Sequence, residues 1–137
     1  MDAAVKRRFK DALFEEFARI GKAIASPRRL ELIELLAQGE RTVDELANET
    51  AQPLANTSQH LQVLRQAQLV ETRRQGTYIY YRLADERVAR LWIALRDVGE
   101  SRLAEVSRLV DTYLEDRRTL QAIDCQELRR RIRDGNT

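Results

Sequence analysis

A chain of 137 residues is long enough for one domain with a modest core and too short for two. Its 34% charged and 43% apolar residues are a soluble globular mix, and no apolar run could span a bilayer or act as a signal peptide, so a cytoplasmic protein without a membrane partner is expected. A single Cys excludes an internal disulfide and a multi-thiolate metal site, and a net charge of +2 confines any nucleic-acid footprint to a local patch.

Helical spacing begins early. Val5, Phe9, Leu13, Phe17, Ile20 and Ile24 fall three or four apart and form one apolar stripe. Ser26-Pro27 reads as an N-cap followed by Pro at the first helical position. The helix it opens turns Leu30, Ile33, Leu36 and Ala37 inward and should stop at Gly39. Thr42-Val43-Asp44-Glu45 is a capping box that opens a short helix carrying Leu46 and Ala47. After a break at residues 51–53, a second helix is expected over roughly residues 54–67. Two short helices about a tight turn form a helix-turn-helix pattern.

The period then changes to two. Ile79, Tyr81 and Leu83 alternate with Tyr78, Tyr80 and Arg82 after a Gln75-Gly76 break, which predicts a β-hairpin. From about Asp85 the spacing is helical again: Val88, Leu91, Trp92, Leu95, Leu103, Val106, Val110 and Tyr113 make a long stripe. An uninterrupted helix from 86 to 118 would span roughly 50 Å, more than a small domain needs, so a helix from a second subunit should cover the excess.

The helix over 54–67 carries an unusual start, Asn56-Thr57-Ser58-Gln59-His60, in which Asn, Thr and Ser are indifferent helix formers. Projected at 100° per residue, Thr57, Leu61, Leu64 and Gln68 share one side. Asn56, Gln59, Gln62, Val63 and Gln66 share the other, with Ser58 and His60 on the flanks. Amides can pair bidentately with adenine, an apolar side chain can meet a thymine methyl, and the absence of carboxylates suits a phosphate-lined groove. Arg73 and Arg74, next to the hairpin tip, and Arg82 on the returning strand suit phosphate or minor-groove contacts. The candidate DNA-binding residues are Asn56, Thr57, Ser58, Gln59, His60, Gln62, Val63, Arg73 and Arg74. The plain alternative for the amides is a solvated surface. It leaves the capped helix before them and the basic hairpin after them unexplained.

The segments SPRRLELIELL, TSQHLQVLRQAQLV and RRQGTYIYYRL resemble the ArsR-type (arsenical-resistance repressor) family of bacterial transcription regulators. The resemblance covers residues about 10 to 115. It implies a mainly α fold with a small β-hairpin: a winged helix-turn-helix that dimerises through its N- and C-terminal helices, with the second helix of the motif in the major groove and the hairpin as the wing. It implies a homodimeric repressor that binds a palindromic operator in double-stranded DNA and is released by a small effector of unknown identity. Ser58, Gln59 and His60 fall on the family's groove-facing cluster. Metal-sensing members carry paired cysteines where this chain has Thr42 and Asp44, and others use His on the last helix, where this chain has none. No metal site, cofactor or catalytic residue is therefore expected.

Residues 1–118 are expected to form this domain and 119–137 a C-terminal tail. In the tail, Asp124 and Glu127 look like a fresh helix start, with a stop at Gly135. AIDCQELRRRIRDGNT resembles the entry into a rhodanese-like domain, which would make the chain the regulator half of a sulfurtransferase fusion sensing reactive sulfur. An enzyme reading of these residues finds no nucleophile, base and oxyanion constellation. Cys125 reads as a surface thiol.

Overall fold

The computed structural model describes residues 2–133. The chain divides into two units, Met1–Ile93 and Ala94–Thr137.

In the first unit, α1 (Ala3–Ile24) precedes α2 (Pro27–Gln38), a two-residue strand β1 (Arg41–Thr42), α3 (Val43–Thr50), α4 (Leu54–Gln66) and the hairpin strands β2 (Val70–Gln75) and β3 (Tyr78–Leu83). The boundaries follow local chemistry. The Ser26 hydroxyl accepts from the Arg29 amide at 3.3 Å, with Pro27 opening α2. At α3 the capping box is complete: Thr42 Oγ1 accepts from the Glu45 amide (3.2 Å), and Glu45 Oε1 accepts from the Thr42 amide (3.3 Å).

Both helices of the motif end in a left-handed residue. Ala51 (φ 53°) closes α3 as the Gln52 amide reaches back to the Ala47 carbonyl (3.0 Å). Gln68 (φ 62°) closes α4 as the Leu69 amide reaches the Leu64 carbonyl (2.9 Å). This is the Schellman arrangement, with its apolar contact supplied by the buried pair Leu64 and Leu69. Gln68 therefore belongs to the cap and is exposed, not on the inward side where helical projection puts it.

The sheet is three-stranded and antiparallel in the order β1-β3-β2. The hairpin pairs Gln75 with Tyr78 across a two-residue turn, and Gly76 takes φ 63° in it, a conformation that costs an L side chain. The alternation puts Tyr81 in the core, but Ile79, nearer the tip, has no core beneath it and is exposed. The strand β1 has no counterpart in the sequence reading. Two residues are too few to show a period, and Thr42 pairs with Tyr80 while also capping α3.

The core gathers Leu32, Ile33 and Leu36 of α2, Leu46 of α3, Leu61 and Leu64 of α4, and Tyr81 of β3. Leu32 joins it although the expected stripe omitted it, while Ala37, expected inward, is exposed on the last turn of α2. Only the end of α1 docks, through buried Ala23 and the half-buried Ile20 and Ile24. Phe9, Phe14 and Phe17 stand out of it, 64%, 63% and 58% exposed. The unit closes with the start of α5 (Glu86–Arg102), where Val88 is buried.

The second unit holds the rest of α5 and a 30-residue helix, α6 (Ala104–Arg133). The expected single helix is interrupted at Leu103. The Leu103 amide still bonds the Gly99 carbonyl four residues back (2.9 Å), and the Val106 amide bonds the Leu103 carbonyl only three residues back (3.0 Å). The separate helix start expected at Asp124, on which the rhodanese-like resemblance leans, does not form: Asp124 lies inside α6. The expected stop at Gly135 lies outside the described residues. Among the described residues no helix is long and apolar enough to cross a membrane.

Candidate nucleic-acid interface

The two faces of α4 have different tasks. Leu61 and Leu64 are fully buried and fix the helix to the core. Asn56, Gln59, Gln62 and Gln66 are exposed along the other side. Thr57 belongs with the leucines: it is 2% exposed, and its hydroxyl donates to the Pro53 carbonyl at 3.1 Å. It braces the first turn and is withdrawn from the DNA-facing set. Val63 is also corrected, because it is half-buried and packs against the core beside Ala67. The outward face is therefore a row of amides without the apolar member expected from helical projection. Pro53 caps α4 with no side-chain hydrogen bond, so the first amides of the helix are left to solvent or to an anion.

Ser58 and His60 are half-buried on the flank. His60 is held by a residue the sequence reading did not connect to it. The Arg29 guanidinium reaches His60 Nδ1 at 3.2 Å, and it also donates to the Lys22 carbonyl (3.3 Å) and the Ala23 carbonyl at the end of α1. Arginine only donates, so Nδ1 accepts and the ring proton sits on Nε2. Burial, then the charges of Arg29 and Arg28, push the His60 pKa below its ordinary value. The neutral ring is thus a hydrogen-bond donor through Nε2.

Because the depressed pKa belongs to the folded state, the unfolded chain takes up the proton first as pH falls. The His60 contribution to stability is complete above about pH 6.5 and is lost as pH drops from there through the folded-state value. The chain has one His, so a single imidazole signal reports it in an NMR titration. The midpoint should lie below 6.5 and rise in Arg29→Gln. A midpoint at or above 6.5 in the unaltered protein would contradict this geometry.

The two arginines of the wing are not equivalent. Arg73 is committed: its guanidinium pairs with Glu40 at 2.7 Å, donates to Gln75 Oε1 at 2.8 Å, and lies 4.7 Å over the Tyr80 ring. The Arg73 hydrogen bond also holds the Glu40 carboxyl below its usual pKa. Arg82 is tied to Glu71 at 3.1 Å on the same face of the hairpin. The charge that Arg73 offers to DNA is thus already paired within the chain. Arg74 points from the other face, is exposed, and has no partner among the described residues. Arg65, on the last turn of α4, is likewise exposed and unpaired among the described residues, and sequence reasoning passed over it. Its place one residue from the exposed Gln66 was the available signal. Among the described residues no group of three or more His, Cys, Asp or Glu is placed to hold a metal ion.

Residues 26–72 match the family model for bacterial regulatory proteins of the arsR family. The HTH-type transcriptional regulator Rv0324 of Mycobacterium tuberculosis is 48% identical over 98 residues, which are 72% of this chain and 43% of that protein. The biofilm growth-associated repressor of Agrobacterium fabrum is 46% identical over 80 residues, 58% of this chain and 68% of that repressor. A homodimeric winged helix-turn-helix DNA-binding domain from Mycobacterium bovis superposes with a TM-score of 0.66 at 47% identity, covering 70% of this chain and 89% of that one. The transcriptional repressor BigR from Xylella fastidiosa gives a TM-score of 0.58 at 36% identity, covering 67% and 94%. The chain spans about half the length of the first two curated relatives, 43% and 55%.

Proposed function

The chain belongs to the arsR family of bacterial regulatory proteins, and from that we propose that it is a homodimeric, sequence-specific DNA-binding repressor of transcription, acting at the chromosome in the cytoplasm and released by a small effector. The observation that carries this reading is the exposed row Asn56, Gln59, Gln62 and Gln66 on a helix whose opposite side is locked into the core by Leu61 and Leu64. A rigid helix presenting amides and no carboxylate is suited to base edges in the major groove. The likeness to a homodimeric DNA-binding domain and to named repressors supports both the dimer and the direction of regulation. The exposed phenylalanines of α1 are the kind of apolar surface a subunit contact covers.

Two copies related by a two-fold axis would set their α4 helices in successive major grooves, about 34 Å apart, on a palindromic operator. Ser58 and His60 stand at the edge of the reading face, and Arg74 supplies a phosphate contact from the wing. Selection from a pool of random duplexes, followed by sequencing of what the protein retains, tests the reading. A two-fold symmetric consensus is expected, and retention without any consensus would refute it.

Arg74→Ala should weaken binding to consensus and non-consensus duplexes by the same factor and lower the salt slope by about one unit per protomer. Arg73→Ala should do less to the salt slope, because its charge is already paired with Glu40. Binding isotherms at several salt concentrations separate the two.

A further inference from the structure

We propose that the corner between α1 and α2 is a second phosphate-binding site for the operator, in which Lys22, Arg28 and the Nε2–H of His60 hold the DNA strand along the flank of α4 opposite Arg65. This rests on the DNA-binding reading and adds a surface to it. The chain has 22 Asp and Glu among 137 residues, yet residues 17–30 and 50–70 contain none. The fold sets these two stretches against each other. The Arg19 guanidinium donates to the Gln66 carbonyl at 3.2 Å, Arg29 reaches His60 Nδ1 at 3.2 Å, and Lys22 and Ala23 share one groove with Val63 and Gln66. Packing does not require two adjoining stretches to lack carboxylates, whereas a polyanion laid across both does.

The cations of the first stretch divide by role. Arg19 is held by Glu16 at 2.9 Å and by the Gln66 carbonyl. Arg29 closes the end of α1 through the Lys22 and Ala23 carbonyls and occupies His60 Nδ1, which leaves Nε2 to donate elsewhere. Lys22 is exposed, and its side chain has no partner among the described residues. Arg28 is 3.7 Å from Glu31, an exposed pair that contributes little and can be exchanged for a phosphate. The Arg28 charge also depresses the His60 pKa, which puts Arg28 on the His60 side of α4. At 100° per residue, His60 and Arg65 stand on opposite flanks of the outward row of amides. A helix seated in the major groove has a phosphate strand on each side, so each flank meets one. Arg29 is then a positioning residue: it holds the end of α1, and Lys22 with it, against α4.

Salt-dependent binding and phosphate ethylation interference, with the full-length chain on its selected duplex, test this site. Lys22→Gln and Arg28→Gln should each lower the salt slope by about one unit per protomer and weaken consensus and non-consensus duplexes by the same factor. Lys6→Gln removes the same charge from the exposed start of α1, roughly 24 Å along the helix from Lys22, and should leave the slope unchanged. Ethyl groups on the phosphates beside the α1–α2 corner should block the unaltered protein and cease to matter in Lys22→Gln. Those phosphates should differ from the ones relieved in Arg74→Ala. Arg29→Lys keeps the charge but cannot bridge the α1 carbonyls and His60 at once, so it should relieve the same phosphates as Lys22→Gln with the base preference unchanged. Unchanged slopes and interference in both Lys22→Gln and Arg28→Gln, with specific binding retained, would overturn the proposal and leave the DNA-binding reading standing. So would an equal fall in slope in Lys6→Gln, which would mean a general effect of net charge. An unaltered protein that retains duplexes without any consensus would overturn the DNA-binding reading itself.

Discussion

Leu61→Ala is expected to destabilise the protein by about 2–5 kcal/mol, a large share of the 5–15 kcal/mol a domain has in total. Leu61 and Leu64 have no accessible surface and face Leu32, Ile33 and Leu46 in one cluster. Removing three carbons there costs the transfer energy of the side chain and leaves a cavity that the helices around it close only in part. The same change should weaken operator binding beyond the loss of folded protein, since Leu61 is on the helix that carries Gln59 and Gln62 and holds their spacing. Urea titration at fixed protein concentration reads the first effect as a lower midpoint with an unchanged slope. Leu54→Ala serves as the control. Leu54 is on the same helix but 49% exposed, and should change stability by no more than about 0.5 kcal/mol. Equal losses from the two changes would mean that the leucine side of α4 is not what anchors it.

The elements that announce themselves locally were legible in the sequence. Ser26-Pro27, the Thr42–Glu45 box and the Gly76 turn each work through atoms within three residues of one another, and each forms as read. The winged helix-turn-helix order followed from these signals together with two changes of period. What the sequence did not show depends on contacts far along the chain. Val63 points outward by helical projection and is half-buried because the end of α1 packs over it, forty residues earlier. Arg73 and Arg74 look alike as neighbours, yet alternation in the strand sends one to Glu40, thirty-three residues away, and leaves the other unpaired. Arg29 reads as the second of two surface arginines in SPRR, and only the fold brings it to His60. Thr57 sits in a polar run, yet helical projection sets it beside Leu61 and Leu64, and it is buried there with its hydroxyl donating to the Pro53 carbonyl four residues back. The helix after Leu103 was misjudged for a different reason. Asp124 and Glu127 carry a capping signature, but a helix already under way has no free amides there for a cap to satisfy.

Gln59→Ala should cost about 1–3 kcal/mol per half-site, and only on duplexes carrying the preferred base at one position. Gln59 is exposed near the start of α4, with Asn56 and Gln62 one turn to either side, and truncating it touches nothing in the core. The folded protein should therefore be as stable as before, within about 0.5 kcal/mol. Because a two-fold dimer uses the residue twice, the loss on the full operator should be about double that on a duplex with one half-site altered. The contrast with Arg74→Ala separates the two roles. A lost phosphate contact scales every isotherm alike and lowers the salt slope, whereas a lost base contact leaves the slope unchanged and flattens the preference at a single position. Sequencing the duplexes retained by each variant, with the salt dependence measured on the best of them, distinguishes these patterns. If Gln59→Ala weakened every duplex equally and lowered the salt slope, the amide would be a backbone contact, and the reading face of α4 would have to be sought in the neighbouring turns.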